Sequence, residues 1–335
     1  MATFKDHLQS LQRQGFTIPS DVRNSFPGSA GFSDSEGMMF MARELEQMEA
    51  RTFNVLYQDL MYKQLFPVDS SINPGAKSIT YKVYDQRGKP RWINSKAKDL
   101  PRADVDGRDV TTYQHMSGLS YGYSLQEIMA ARFAGVPLEQ AKANAVRRGF
   151  EDEMNFTAFN GNADLGFVGF FTTGNGIPRT TAPNGAGGDP EWDTKTPDEI
   201  IADIALLFTK PIVDSKQKER PTELWLPTAQ YLDLKSRRLT DTGETLFSYI
   251  VRKSGWITGE DKIVSVPDLT GAGAGGVDVA VAATRNPDKL EQKISQDVTF
   301  YPVQQQSLEW VVPAAIVYGG LVIRYPAAFH ILEAI

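Results

Sequence analysis

SITYKVYDQRGKPRWI (78–93), followed after a polar interval by VTTYQHMSGLSYGYSLQEIM (110–129), is the stretch that decides the fold. Ile79, Tyr81 and Val83 alternate with Thr80, Lys82 and Tyr84, which is the two-residue period of a strand. Gly88 and Pro90 punctuate that strand, Trp92 and Ile93 continue it, residues 94–109 turn the chain, and residues 110–123 return in extended form. The reading is a long hairpin: about 15 residues per arm at roughly 3.3 Å each reach on the order of 50 Å. Neither arm carries an apolar face rich enough to build a core of its own, so the excursion needs another molecule to lie on.

Downstream, Ser124 and Glu127 have the spacing of a capping box that opens a short helix to Ala134; Gly135 interrupts it and Pro137 suits a new first turn. Leu138, Ala141, Ala145, Phe150, Met154 and Phe159 then mark one long helix, with Phe150 falling one step late, closed by Asn160-Gly161. About 24 residues at 1.5 Å each span roughly 36 Å. Past a Gly-rich loop, Thr196-Pro197-Asp198-Glu199 combines a capping box with proline in the first turn, ahead of Ile200, Ile201, Ile204, Leu207 and Phe208. A strand at Glu223–Leu226, helices at Thr228–Arg237 and Thr245–Lys253, and strands at Lys262–Val266 and Val277–Ala283 follow. Extended segments at Val298–Val303, Leu308–Val312 and Ile316–Tyr325 close the chain.

Upstream, residues 1–32 are polar and rich in Gly, Ser and Pro, with Phe16, Ile18, Phe26 and Phe32 at no useful period, and read as an arm. Ser33 and Glu36 open a helix over about 36–65, built on Met38, Met41, Leu45, Met48, Val55, Leu56 and Leu60 and stopped by Pro67.

Composition narrows the function. With 335 residues, 41% hydrophobic and 23% charged, the chain can bury one large or two modest cores. It has no cysteine, which removes disulfides, thiolate metal sites and a thiol nucleophile and fits a reducing cytoplasm. The first ten residues lack the basic and apolar regions of a secretory signal, and the apolar run Val311–Ile323 is broken by Pro313 and two glycines, so no membrane span is expected. A formal charge of −6 with dispersed cations argues against sequence-specific nucleic-acid binding.

Several patterns imitate chemistry. Gly118-Leu119-Ser120-Tyr121-Gly122 fits a G-x-S-x-G nucleophile elbow, for which Asp268 and His330 would be the partners; the preceding hairpin lacks the alternating strand and helix order that an elbow needs. His7, His115 and His330 are scattered with no i, i+4 partner, so no metal site is expected from them. Asp104, Asp106 and Asp109 around Gly107 lack the terminal glutamate of a calcium loop and read as an acidic turn at the hairpin tip. Gly271–Gly276 has no following Lys-Ser/Thr and reads as a flexible turn, not a phosphate cradle. No cofactor is expected.

The order of parts resembles the Hong Kong-type fold of tailed-phage major capsid proteins, which encapsulin nanocompartments share. The hairpin is similar to that family's extended loop feeding a spine helix. EDEMNFTAFNGNADLGFVGFF (151–171) with GNGIP (174–178) resembles the acidic spine-helix end, Asn-Gly step and Gly-Ile turn of relatives. LEWVVPAAIVYGGLVIRYPAAF (308–329) resembles the returning strand, with Arg324-Tyr325-Pro326 carrying one insertion in an Arg-Pro-like step. The likeness spans roughly 66–335. It implies an α+β capsid fold: N-terminal arm and helix (1–66), extended loop (67–123), peripheral domain with spine helix (124–195), α/β axial domain (196–305) and return strand (306–335).

By the same resemblance the protein self-assembles into pentamers and hexamers, as an icosahedral shell in the virion put together in the bacterial host cytoplasm. An encapsulin-like compartment, or a serine hydrolase using Ser120, is the alternative. Phe16, Phe26, Arg91, Trp92, Ile93, Arg102 and Tyr113 are the candidate inter-subunit contacts. Larger relatives carry a scaffolding segment; only a short arm precedes the fold here, so a separate scaffold or none is expected, with portal and decoration proteins as further partners the resemblance allows. Some relatives crosslink a loop lysine to a neighbour's asparagine. Lys82, Lys89, Lys96 and Lys98 lie on the loop, but no acceptor is identifiable, and a non-crosslinked shell is the expectation.

Overall fold

The computed structural model describes residues 59–92, 101–134, 138–239, 243–307 and 309–335. The arm with Phe16 and Phe26, most of the expected helix over 36–65, and Ile93, Lys96, Lys98 and Pro137 lie outside them.

Two five-stranded sheets organise the body. In the first, β1 (Val68–Asp69) runs parallel to β11 (Leu290–Phe300), which is antiparallel to β13 (Glu309–Ile323). Beside β13 lie β12 (Gln304–Gln306) and, in an unbroken ten-pair register from Glu309↔Ser124 to Tyr318↔His115, β4 (His115–Ser124). In the second sheet the order is β7 (Arg179–Thr181), β14 (His330–Glu333), β10 (Val279–Ala283), β8 (Glu223–Leu226) and β9 (Ile263–Ser265). Strand β10 reads VAVAA because it is covered on both faces: Val279, Val281 and Ala283 enter one core, Ala280 and Ala282 the other. Trp225 and Ile331 share the first side; Leu224, Leu226 and Leu332 share the second.

The first core lies between that sheet, the first sheet and α3 (Leu138–Asn160), which buries Val146, Phe150, Met154, Ala158 and Phe159. The expected long helix is there, but its buried row starts at Val146, with Ala141 and Ala145 exposed, so Phe150 is in step and the two alanines are not. The second core packs α4 (Pro197–Asp214), α5 (Thr228–Ser236) and α6 (Leu246–Lys253) on the other face of the second sheet through Ile200, Ile204, Leu207, Phe208, Leu234, Leu246 and Ile250. Both capping boxes form. Thr196 and Glu199 exchange their bonds at the start of α4, and Ser124 and Glu127 do so ahead of α2 (Leu125–Ala134).

The carboxyl end of α3 is closed by the returning chain. Phe170 N–H donates to Ala158 O at 2.9 Å, Phe171 N–H to Phe159 O at 2.7 Å, and Thr172 Oγ1 to Asn160 O at 2.8 Å. Gly161 makes the exit in the left-handed region at φ +76°, and its backbone passes so near Gly169 that a Cβ on Gly161 would sit 2.6 Å from Gly169 N. The same turn stacks Phe159 on Phe171 and sets Phe170 against Phe66, Trp225 and Phe329.

The hairpin itself differs from the expectation in its second arm. Strand β2 (Ser78–Arg87) pairs with β3 (Asp104–Tyr113), from Ser78↔Tyr113 to Arg87↔Asp104. After one residue, Gln114, the chain leaves the ribbon and becomes β4 in the first sheet. Residues 115–123 are therefore part of the body, and 104–109, expected to turn, are strand. Ten paired residues per arm give a ribbon of roughly 33 Å rather than 50 Å. Segments 308–312 and 316–325 likewise merge into the single strand β13, which carries Pro313 in its interior opposite Ser120.

Candidate assembly surface

The base of the ribbon is anchored by residues that need close approach. Ile79 Cδ1 lies where a Cβ on Gly319 would come within 3.0 Å, so the glycine of β13 makes the seat for the first inward residue of β2. Gly320, at φ +80°, gives room on its own side to Phe167. Gln114 N–H donates to Lys77 O at 3.0 Å, and Ser295 donates to the Gln114 side-chain carbonyl. The Arg324 guanidinium lies 5.6 Å from the Tyr81 ring centroid and holds Glu291 at 2.6 Å. Lys293, nearly buried, reaches Glu291 at 2.8 Å and Asp69 at 2.6 Å. Burial alone would raise the Asp69 carboxyl; the hydrogen bonds from Lys293 and Ser71 outweigh it and hold the group well below the usual carboxylate range.

Above this base no described residue covers the ribbon. Ile79, Tyr81 and Val83 are half-buried, but residues 84–92 and 101–109 are exposed on both faces. Tyr84 is 65% exposed, Tyr113 60% and Val105 55%, while Trp92 is fully exposed at 102%. What holds the arms together is the ladder, the Thr80–Thr111 hydroxyl pair at 2.9 Å, and Arg87 bridging Asp85 and Asp106 at 3.4 Å. Exposed ion pairs of that kind contribute on the order of 0–1 kcal/mol. Thus Arg91, Trp92 and Arg102 lie beyond the last ladder pair, Arg87↔Asp104, all exposed, and Tyr113 stands at the base. Sequence reasoning passed over Tyr84 and Val105, and also Met116 on β4, Met129 and Phe133 on α2 and Phe156 on α3, all exposed. For Phe156 the signal is its position two residues from Met154, off the row that α3 buries.

The imitations of chemistry resolve into structure. Ser120 lies inside β4, exposed and paired with Pro313, and is not on a strand-to-helix turn. Asp268 accepts from Asn155 Nδ2 at 2.9 Å, and burial raises its carboxyl despite that bond. His330, on β14, is buried, with no hydrogen bond to either ring nitrogen among the described residues; burial lowers it to about 4, Lys210 adding to the effect and Asp214 opposing it. The three do not form a relay. His115 is bonded through Nε2 to Leu165 O at 3.1 Å and lies edge-on to Phe167. Asp104, Asp106 and Asp109 are on β3 and not at the tip; Asp109 faces Lys82 across the ladder. Gly271–Gly276 is a hydrogen-bonded turn whose Gly271 N–H already donates to the Asp278 carboxylate at 2.8 Å. Among the described residues no group of three or more His, Cys, Asp or Glu side chains could hold a metal, and no helix is long and apolar enough to cross a membrane.

Two sheets braced by one long helix thus carry a two-stranded ribbon whose outer part is exposed on both faces. The chain belongs to the major capsid protein family, whose model matches residues 88–335. Its fold is shared with the capsid of Myoviridae phage XM1, at a TM-score of 0.74 and 16% identity over 88% of this chain and 98% of that one. The capsid of a native GTA particle matches at 0.59 and 13%, over 86% and 94%, and Gordonia phage Cozz at 0.58 and 14%, over 92% and 97%. At such identities the likeness is one of fold. No curated protein matches the chain.

Proposed function

We propose that the chain assembles into pentamers and hexamers that close an icosahedral shell around a phage genome, with the ribbon 78–113 acting as a clasp over a neighbouring copy. The observation that carries this is the two-sided exposure of residues 84–92 and 101–109. A two-stranded ribbon is marginal in water, and it becomes worth its ordering entropy only when a face is covered. In this reading α3 and the first sheet form a peripheral domain, and the second sheet with α4, α5 and α6 forms an axial domain around the symmetry axes. Arg91, Trp92, Arg102 and Tyr113, together with Phe16, Phe26 and Ile93, are the contacts offered to neighbours. Each contact is modest, and a subunit held by several neighbours is retained through multivalency. The shell is assembled in the host cytoplasm, with portal, scaffolding or decoration proteins as further partners, and its work is structural, not catalytic.

The test uses the ladder's own geometry. Arg87 and Asp104 are paired, so replacing residues 88–103 by Asn-Gly supplies a two-residue turn to the ribbon without disturbing its base. The shortened protein is expected to remain folded and to form capsomers or monomers that do not close; closed particles in negative-stain micrographs would overturn the proposal.

A further inference from the structure

The long helix α3 is tied to the second sheet by a polar contact beside the first core. Asn155, 6% exposed, donates from Nδ2 to Asp268 Oδ1 at 2.9 Å, although the two residues are 113 apart in sequence. Asp268 lies in the short turn Pro267–Leu269 that follows β9, between Val266 and Leu269, both of which enter the first core. The contact is half made. Asn155 Oδ1 and Asp268 Oδ2 are buried atoms with no hydrogen-bond partner among the described residues. With Asp268 ionised both are acceptors, and two acceptors kept from water cannot satisfy each other.

We propose that Asp268 keeps its proton in the folded protein and closes an acid–amide pair with Asn155, in which Nδ2–H donates to Oδ1 and Oδ2–H donates to the amide oxygen. One proton then satisfies both orphaned oxygens at once. The balance on the carboxyl runs the same way: burial raises it, and the bonds from Asn155 and from its own backbone N–H oppose without reversing the shift. The charges on the surrounding elements are engaged elsewhere. On α3, Glu151 is paired with Lys63, Asp152 with Arg148, and Glu153 accepts from Thr157 Oγ1. On β8, Glu223 is held by Lys262 and Arg285, and past the glycine turn Asp278 accepts from Gly271 N–H and the Gln230 amide. None of them acts on the Asp268 carboxyl. The tie between helix and sheet is therefore set by pH. An unfolded aspartic acid releases its proton near 3.9, as a general value. The folded chain holds that proton to higher pH, so it binds more protons in the interval and its stability falls as pH rises through it. Above the interval the carboxyl ionises, both oxygens are bare again, and α3 is loosened from the turn.

The experiment follows denaturant unfolding of the unassembled full-length protein against pH for the wild type, Asp268→Asn and Asn155→Asp. Asparagine at 268 has the shape of the acid and a permanent N–H where the acid has O–H, so that variant keeps both bonds without titrating. Relative to it, the wild-type unfolding constant should rise with pH by up to about tenfold per unit, the most that one proton gives, and then level off. Asn155→Asp sets two carboxyls on one shared proton; it should match the wild type in acid and fall away faster as pH rises. The infrared difference between wild type and Asp268→Asn should contain a protonated-carboxyl band that persists above the pH at which an unfolded aspartic acid ionises. Wild type and Asp268→Asn running parallel in pH, with the variant weaker throughout, is the result for an ionised Asp268 that accepts from Asn155 or from a bridging water, and it would overturn the inference. Absence of the infrared band, or an Asn155→Asp variant that tracks the wild type at every pH, would overturn it equally.

Discussion

Replacing Trp92 by alanine separates folding from assembly more cleanly than any deletion. The side chain is fully exposed in the isolated chain, at 102%, so its removal should change folding stability by no more than about 0.5 kcal/mol. On the clasp reading proposed above, the same indole is covered in a shell. An aromatic side chain buries roughly 150–250 Å², and truncating a central one at an interface costs about 2–4 kcal/mol once strain and residual contacts are counted. Each subunit gives one tip, so the loss recurs once per subunit added; even 2 kcal/mol raises the critical concentration by about 30-fold. Light scattering against protein concentration reads that shift, and a thermal melt of the unassembled protein reads stability. An unchanged critical concentration would refute the reasoning. So would a large fall in melting temperature, because it would mean that Trp92 packs on its own body.

Three further perturbations probe the body. Gly161→Ala places a Cβ at φ +76° and 2.6 Å from Gly169 N, whereas Gly166→Ala sits at φ +72° with nothing within 4 Å. The second should cost about 1–2 kcal/mol of left-handed strain in denaturant unfolding, and the first clearly more. Asp203→Asn leaves Lys195 buried without its 2.5 Å partner and is expected to destabilise by about 3–5 kcal/mol, whereas Asp85→Asn on the ribbon should be nearly neutral. His330 takes up a proton near 6.5 when unfolded but only near 4 when folded, so unfolding gains a proton in that interval. The contribution of His330 to stability should therefore fall as pH drops from 6.5 to 4, by about 3 kcal/mol, and level off below, a contribution that His330→Phe should remove.

Much of this was legible because local rules were obeyed. The alternation at Ile79, Tyr81 and Val83, the two capping boxes and the Asn160-Gly161 stop all report local backbone preference, and all recur in the structure. What escaped depends on partners distant in sequence. Gln114 does not look like a joint, since the chain stays extended through it and only the hydrogen-bonding partner changes, from β2 to β13. The early part of β11 reads as polar, yet Gln292 is buried with its amide on the Tyr318 hydroxyl at 3.0 Å, and Lys293 is buried between Asp69 and Glu291. Strand β14 is four residues long and has no period to read. The uncovered state of Tyr84 and Val105 was hidden for the opposite reason: residues that would be inward in a sheet of three or more strands have no third strand among the described residues.

The one-residue joint at Gln114 has a mechanical meaning. A pull on the free end of the ribbon passes along β3 straight into β4, which lies antiparallel against β13 over ten consecutive pairs. Load enters along the strand axis, so the ladder is sheared and its bonds must yield together, whereas a perpendicular tug would peel them one at a time. On the proposed reading, tension between neighbouring copies of a filled shell would be borne by the stiffest direction the sheet offers.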